Sequence, residues 1–135
     1  MGYNNGAQAY RQNAINGASP VQLVIMLYDG ALRFMDEGKR AMAIKDLETK
    51  NFKLQRAQKI VMELISTLDI RNGGEIASNL LSLYTFTINE LVEGNMHDKP
   101  ERIDNAIKTM TELRDSWVEL ERTSKTNSEV TPNAA

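Results

Sequence analysis

Apolar residues recur at helical spacing along four stretches of the chain, and the alternation typical of half-buried β-strands is absent. The first stretch begins with a helix-start signal. Ser19 is suited to cap a helix, Pro20 to occupy its first position, and Gln22 completes a capping box. We expect this helix to end near Ala43 or Ile44.

Two further amphipathic helices follow the first. The second is predicted over 46–71 with Asp46 as its cap, and Gly73-Gly74 then interrupts the pattern. The third is predicted over 75–93, because Gly94-Asn95 favours a helix end at that point.

The fourth helix is predicted to begin at a capping pair of Asp98 and Glu101, with Pro100 in its first turn. Short connections between amphipathic helices favour antiparallel neighbours, so the predicted fold is all-α, an antiparallel up-down four-helix bundle. The predicted organisation is an N-terminal arm or short cap helix over 1–18, the bundle over 19–122 and a flexible C-terminal tail over 123–135.

The first helix carries more apolar surface than one bundle core requires. We take Val24 as the centre of its buried face. Leu23 and Phe34 then fall on one flank of the apolar arc, and Ile25 and Leu32 fall on the other. The arc is about 180–200° wide, whereas a surface helix needs an apolar stripe of roughly 100°.

The third helix shows a related excess, because its core stripe is complete without Ile76, Leu83 and Phe86. Two interpretations remain open. A central bundle helix can be apolar nearly all round without any partner. Alternatively, the surplus surface forms a groove that the N-terminal arm, a second copy of the chain or a helix of another protein covers.

Composition narrows the class of protein. The 135 residues include 16 basic and 18 acidic side chains, a balance that argues against nucleic acid as a partner. The absence of cysteine excludes a disulfide scaffold and a thiolate metal site. No run of about eighteen apolar residues is present, so we expect no membrane insertion.

The side chains that enzymes use are scarce. His97 is the only histidine, so the chain cannot supply the two Glu-x-x-His motifs of a di-iron bundle. No P-loop, dinucleotide-binding glycine motif or nucleophile elbow is present. We therefore expect a non-enzymatic protein without catalytic residues, metal or cofactor.

The segment "AYRQNAINGASPVQLVIMLYDGALRFM" resembles the flagellar secretion chaperones of the FliS family. The resemblance is carried by Tyr10 of the arm, by Ser19-Pro20 and Leu23, and by "MLYDG" over 26–30. It continues through "KNFKLQRAQKIVMELISTLD" and ends at "LRDSW" over 113–117. Many members carry a second aromatic residue three positions before the arm tyrosine, where this chain has Ala7.

The resemblance implies a cytoplasmic export chaperone with a four-helix bundle fold. Its implied client is the C-terminal region of flagellin, which is disordered in the monomer. In this family the client wraps around the bundle, and its short helices dock in apolar grooves. The N-terminal arm can occupy one groove when no client is bound. Further partners implied for some members are an anti-sigma factor or another flagellar assembly regulator, and components of the export gate.

The candidate partner-binding residues form an arm set and a groove set. The arm set is Tyr10 and Ile15. The groove set is Leu23, Met26, Leu27, Tyr28, Leu83 and Phe86. Spacing alone favours a plain core role for Leu27 and Tyr28. Three alternatives stay open: a helical adaptor or regulator without chaperone activity, an enzyme or metal bundle, and an obligate homodimer. We expect a monomer or weak homodimer.

Overall fold

The computed structural model describes residues 17–130, and the surroundings of side chains up to residue 125. This part of the chain consists of helices and the short turns that join them. The helices are α1 (Pro20–Ala43), α2 (Leu47–Ser66), α3 (Ile70–His97) and α4 (Pro100–Val130). The predicted all-α class is confirmed.

The four helices form an up-down bundle in which each helix packs against its neighbours in sequence and α4 closes against α1. The contact between α1 and α2 is the most extensive, and that between α2 and α3 is the least. Side-chain pairs give the directions: Gln22 contacts Glu121 and Lys39 contacts Asp104, so α1 and α4 run antiparallel.

The predicted start of α1 is confirmed in detail. The Ser19 hydroxyl accepts a hydrogen bond from the Gln22 backbone N–H at 3.1 Å, and the Gln22 side chain accepts one from the Ser19 N–H at 2.9 Å. This capping box pairs two backbone donors that lack a helical partner. The predicted end of α1 is also confirmed, because the helix ends at Ala43.

The predicted boundary between the second and third helices is wrong. α2 ends at Ser66, and α3 already begins at Ile70 because Asp69 caps it by accepting from a backbone N–H at 3.1 Å. The predicted interruption at Gly73-Gly74 is instead a kink inside α3. Gly74 has φ 58° and ψ −135°, a conformation that favours glycine.

The predicted end of the third helix and cap of the fourth are also wrong. Gly94 does not stop α3, which continues to His97; instead, it allows close packing, since a Cβ there would lie 2.6 Å from Ile103 Cδ1. Asp98 ends α3 in a left-handed conformation (φ 52°). Its carboxylate accepts from Lys50 Nζ at 2.6 Å rather than capping α4.

The last helix is longer than the sequence pattern indicates. α4 continues through Val130, past the predicted end of the bundle at residue 122. Two ion pairs between successive turns support this extension: Arg122 pairs with Glu119, and Lys125 with Glu121. Opposite charges at this spacing lie on the same side of a helix and favour its continuation.

The core is built from side chains of all four helices. Its fully buried members are Tyr28, Ala31, Met35, Leu54, Ala57, Val61, Leu64, Leu91, Ile103, Ala106 and Met110. α1 and α2 approach closely at Gly38, where a Cβ would lie 2.5 Å from Leu54 Cδ2. This closeness accounts for the extensive α1–α2 contact, and the looser α2–α3 contact leaves room for a groove.

Candidate partner-binding site

An apolar groove opens between the start of α1 and the end of α2. This α1–α2 groove encloses about 620 Å³. It is lined by Pro20, Leu23, Val24, Met26, Leu27, Glu63 and Thr67. The structure thus brings together Leu23, Met26 and Leu27, three residues of the predicted groove set. Met26 is 40% exposed, so a large apolar side chain stands at the edge of the groove.

A second apolar groove lies beside the first, where α2 ends and α3 begins. This α2–α3 groove encloses about 460 Å³. It is lined by Val24, Leu64, Thr67, Leu68, Asp69, Gly73, Ile76, Ala77, Leu80, Tyr84 and Trp117. Val24 and Thr67 line both grooves, so the two are neighbours at one end of the bundle. Ile76, predicted as surplus, lies here and is 73% exposed.

Tyr28 lies in the core and does not contribute to a groove surface, so its direct partner-binding role stays a prediction. It is 0% exposed. Its hydroxyl lies 2.5 Å from that of Tyr84, and Trp117 Nε1 donates to it at 3.2 Å. Burial raises the pKa of both tyrosine hydroxyls, which therefore stay protonated and hydrogen-bonded. Because Tyr84 and Trp117 line the α2–α3 groove, Tyr28 supports that groove from the core.

Leu83 and Phe86 lie apart from both grooves. Both are exposed, one turn from each other on α3. They follow the same side of α3 as Glu90, whose carboxylate accepts from Arg102 and Asn105 of α4, each at 2.9 Å. The predicted groove set is therefore divided between the end of the bundle and the α3–α4 side.

The flanks of the predicted apolar arc have different surroundings. Ile25 is buried, so this flank belongs to the core rather than to a partner surface. Phe34 is half-buried, and the cations of Lys53 and Arg56 lie 5.4 and 5.5 Å from its ring centroid. Tyr10 and Ile15, the arm set, lie outside the described residues.

Sequence reasoning missed several residues of the grooves. Leu68, Leu80 and Trp117 fit the core stripes of their helices, and Glu63 fits a solvated polar face. The positions of Leu68, Leu80 and Trp117 could have indicated their place in a groove. All three occupy core-stripe positions near the end of the bundle where α1 begins, and the core opens at that end.

The family-like motif residues join α1 to α4. Arg114 Nε donates to the Asp29 carboxylate at 2.6 Å, and the Trp117 indole donates to Tyr28 one position earlier. Arg114 also pairs with Asp115 at 3.6 Å. These motif residues therefore fix α1, one wall of the α1–α2 groove, against α4.

The chemistry of the site is that of apolar recognition. Its walls are mainly aliphatic and aromatic side chains, and Glu63 is the only charged group that the described part of the chain contributes to the α1–α2 groove. Among the described residues, no three His, Asp or Glu side chains converge as metal ligands would. Over the same part of the chain, no helix combines the length and apolarity that crossing a membrane requires.

Comparison with known proteins identifies the family. The family model described as "Flagellar protein FliS" matches residues 3–124. The flagellar secretion chaperone FliS of Campylobacter jejuni is 38% identical over 120 residues, which cover 89% of this chain and 94% of that protein. The FliS chaperone of Bacillus subtilis is 34% identical, with coverage of 87% and 86%.

A solved structure described as a flagellar chaperone from bacteria supports the fold. It superposes with a TM-score of 0.72 at 18% identity, and the match covers 88% of this chain and 97% of that one. The family model spans most of the chain, and the relatives align along most of their lengths. The chain therefore belongs to the FliS family of flagellar secretion chaperones, and it is not an enzyme.

Proposed function

We propose that this protein is a cytoplasmic export chaperone that binds the C-terminal segment of flagellin. It prevents premature polymerisation of flagellin and supports its delivery to the flagellar type III secretion apparatus. The observation that carries the proposal is the α1–α2 groove, in which Leu23, Met26 and Leu27 present apolar surface beyond the core. The similarity to flagellar secretion chaperones of other bacteria supports the same role.

The groove has the dimensions of a short helix. Its α1 wall runs from Pro20 to Leu27, which at 1.5 Å per residue is about 10 Å, or two helical turns. An amphipathic helix of that length buries two or three anchor residues in such a groove. A client segment that uses its apolar face here cannot use the same face to pair with another flagellin.

The energetics permit useful affinity for a disordered client. Folding of the segment on binding costs about 2–5 kcal/mol of the gross interaction energy. Burial of each leucine-sized anchor contributes roughly 1.5–3 kcal/mol. Three anchors in the α1–α2 groove therefore offset the ordering cost and leave a net gain.

The arm is proposed to regulate the same groove. Residues 1–18 precede α1, whose first turn lines the α1–α2 groove, so the arm is connected directly to this site. Tyr10 and Ile15 are its larger apolar side chains together with Tyr3. We expect them to cover the groove when no client is bound, which would shield apolar surface from aggregation.

Calorimetric titration with a peptide of the flagellin C-terminal segment tests the proposal. Leu23→Ser and Met26→Ser are each expected to weaken binding at least about ten-fold, since each removes one apolar anchor. Ile44→Ser is the matched control, because Ile44 is 76% exposed at the other end of α1. Equal losses for groove and control variants, with unchanged circular dichroism, would contradict the proposal.

The arm has a separate test. Tyr10→Ala is expected to tighten client binding, because it removes a competitor for the groove. Thermal unfolding should stay nearly unchanged. A parallel loss of stability and binding would show that the tyrosine is part of the folded core instead.

The exposed pair Leu83 and Phe86 favours a second candidate role as a regulator that binds another flagellar protein, such as the anti-sigma factor. This pair lies away from both grooves, so it can serve another partner at the same time. Phe86→Ser would then weaken binding of the anti-sigma factor and leave flagellin binding unchanged. The opposite pattern would place this pair in the flagellin site.

A further inference from the structure

Among the residues that the structure describes, one carboxylate is the single charge in the lining of the α1–α2 groove. Apolar side chains form its α1 wall, whereas Glu63 stands on the α2 wall beside Thr67. The Glu63 side chain is exposed, and within residues 17–125 no lysine, arginine or histidine forms an ion pair with it. A single unpaired charge beside an apolar groove discriminates among partners that are equally apolar.

The position of Glu63 in α2 strengthens the negative field on this wall. Glu63 lies in the last turn of α2, and this turn, which ends at Ser66, contains no basic residue. The C-terminal end of a helix carries partial negative charge. The carboxylate and the helix end therefore both favour a cation at the same place.

Neighbouring charges do not remove this preference. Lys59, one turn before Glu63, lines a separate recess between α2 and α3. Asp69 is already engaged, because its two carboxylate oxygens accept from the backbone N–H and the side-chain amide of Asn72. The positive end of α1 on the opposite wall is capped by the Ser19 hydroxyl.

We propose that Glu63 is a specificity-determining residue of the α1–α2 groove, which selects a two-turn client helix whose apolar stripe is flanked by a lysine or arginine. The apolar stripe lies against Leu23 and Met26, and the basic side chain crosses the groove to Glu63. Its long aliphatic stem covers apolar surface while its cation reaches the carboxylate. This inference rests on the proposed function and adds the charge that the client must carry.

The probe is a synthetic peptide of the flagellin C-terminal segment from the same organism, together with variants in which each lysine or arginine is changed singly to glutamine. One peptide variant is expected to bind about two- to five-fold more weakly, the range of a partly exposed ion pair. Glu63→Gln should cause the same loss with the native peptide. Combining the two changes should cause no further loss, because they remove the same interaction.

Charge reversal with a matched control separates a local pair from net charge. Glu63→Lys is expected to weaken binding of the native peptide about ten-fold, since it places like charges together. Glu48→Lys alters net charge equally on the same helix, but Glu48 lies in the first turn of α2 at the other end. It should leave affinity unchanged, and equal losses for both variants would overturn the proposal.

The outcomes distinguish this inference from the proposed function. If Met26→Ser weakens binding but the Glu63 variants bind every peptide normally, the specificity role of Glu63 is overturned and the groove remains the client site. If none of these variants changes affinity, both are overturned. If Glu63→Lys instead tightens binding of the native peptide, as release of the arm would, Glu63 pairs with the arm, and the proposed client contact is overturned.

Discussion

The hydroxyl oxygens of Tyr28 and Tyr84 lie 2.5 Å apart in the interior of the bundle and join α1 to α3, its diagonal pair of helices. The Trp117 indole, which can only donate, adds a hydrogen bond to the Tyr28 oxygen at 3.2 Å. The Tyr28 oxygen is therefore bonded to two partners at once, whereas the Tyr84 hydroxyl is the end of the chain. One buried chain of polar groups links α1, α3 and α4.

The first prediction follows from the central place of Tyr28 in that chain. Tyr28→Phe leaves the Trp117 N–H and the Tyr84 hydroxyl without a partner, and we expect a loss of about 2–3 kcal/mol in the free energy of unfolding. Tyr84→Phe removes only the terminal member, so its cost should be about 1 kcal/mol. Urea denaturation measures both, and equal costs would contradict the central place of Tyr28 in this chain of hydrogen bonds.

The second prediction concerns two glycines of α1 with different surroundings. Gly38→Ala puts a Cβ 2.5 Å from Leu54 Cδ2 and 2.7 Å from its Cγ, and Leu54 is fully buried. The overpacking should cost about 1–3 kcal/mol and outweigh the gain in helix propensity.

Gly30→Ala is the matched control for that variant. Its Cβ would meet only Ile60 Cδ1 at 3.4 Å, an ordinary contact. We expect stabilisation of up to about 1 kcal/mol from helix propensity. Thermal unfolding of the two variants should therefore shift in opposite directions, and a shift in the same direction would show that the helix spacing adapts freely.

The start of α1 could be predicted because its signals are local. Ser19, Pro20 and Gln22 satisfy or remove backbone donors within one turn, and no distant residue competes for them. Asp98 failed as a predicted cap because Lys50, from another helix, takes its carboxylate. Local sequence carries no sign of that competitor.

The division between core and groove was harder to predict for the same reason. Val24 and Tyr28 lie one turn apart on the same stripe of α1, yet Val24 lines both grooves and Tyr28 is fully buried. Periodicity gives the direction in which a side chain points. It does not give the place along the helix where the neighbouring helices diverge, and that place decides whether an apolar residue is covered.

The third prediction is a pH dependence at Glu90. The Asn105 amide and the Arg102 guanidinium hold the pKa of the Glu90 carboxyl below its usual range. A carboxyl whose pKa is lowered by folding stabilises the folded state above its unfolded pKa, about 4.3. This contribution is lost as the pH falls through the lower, folded pKa.

Glu90→Gln tests this dependence. The free energy of unfolding of the variant should be about 1–3 kcal/mol lower at pH 7, because a neutral amide replaces the charged carboxylate and makes weaker hydrogen bonds. The difference from the unaltered protein should shrink as the pH falls below about 4.3. Asp104 forms a more exposed ion pair with Lys39, so Asp104→Asn should change the free energy of unfolding by less than about 1 kcal/mol over the same pH range. A constant difference for Glu90→Gln would contradict the assignment.

The fourth prediction uses Trp117, the single tryptophan, as a reporter of the α2–α3 groove. A client segment that fills this groove removes water from the indole, so we expect the emission to shift to shorter wavelength on titration with a tryptophan-free flagellin peptide.

Ile76→Ser, which removes an exposed apolar wall of the groove, should weaken the interaction and move the emission midpoint to higher peptide concentration. Phe86→Ser, away from the groove, should leave the midpoint unchanged. Calorimetric binding without any change in emission would restrict the client to the α1–α2 groove.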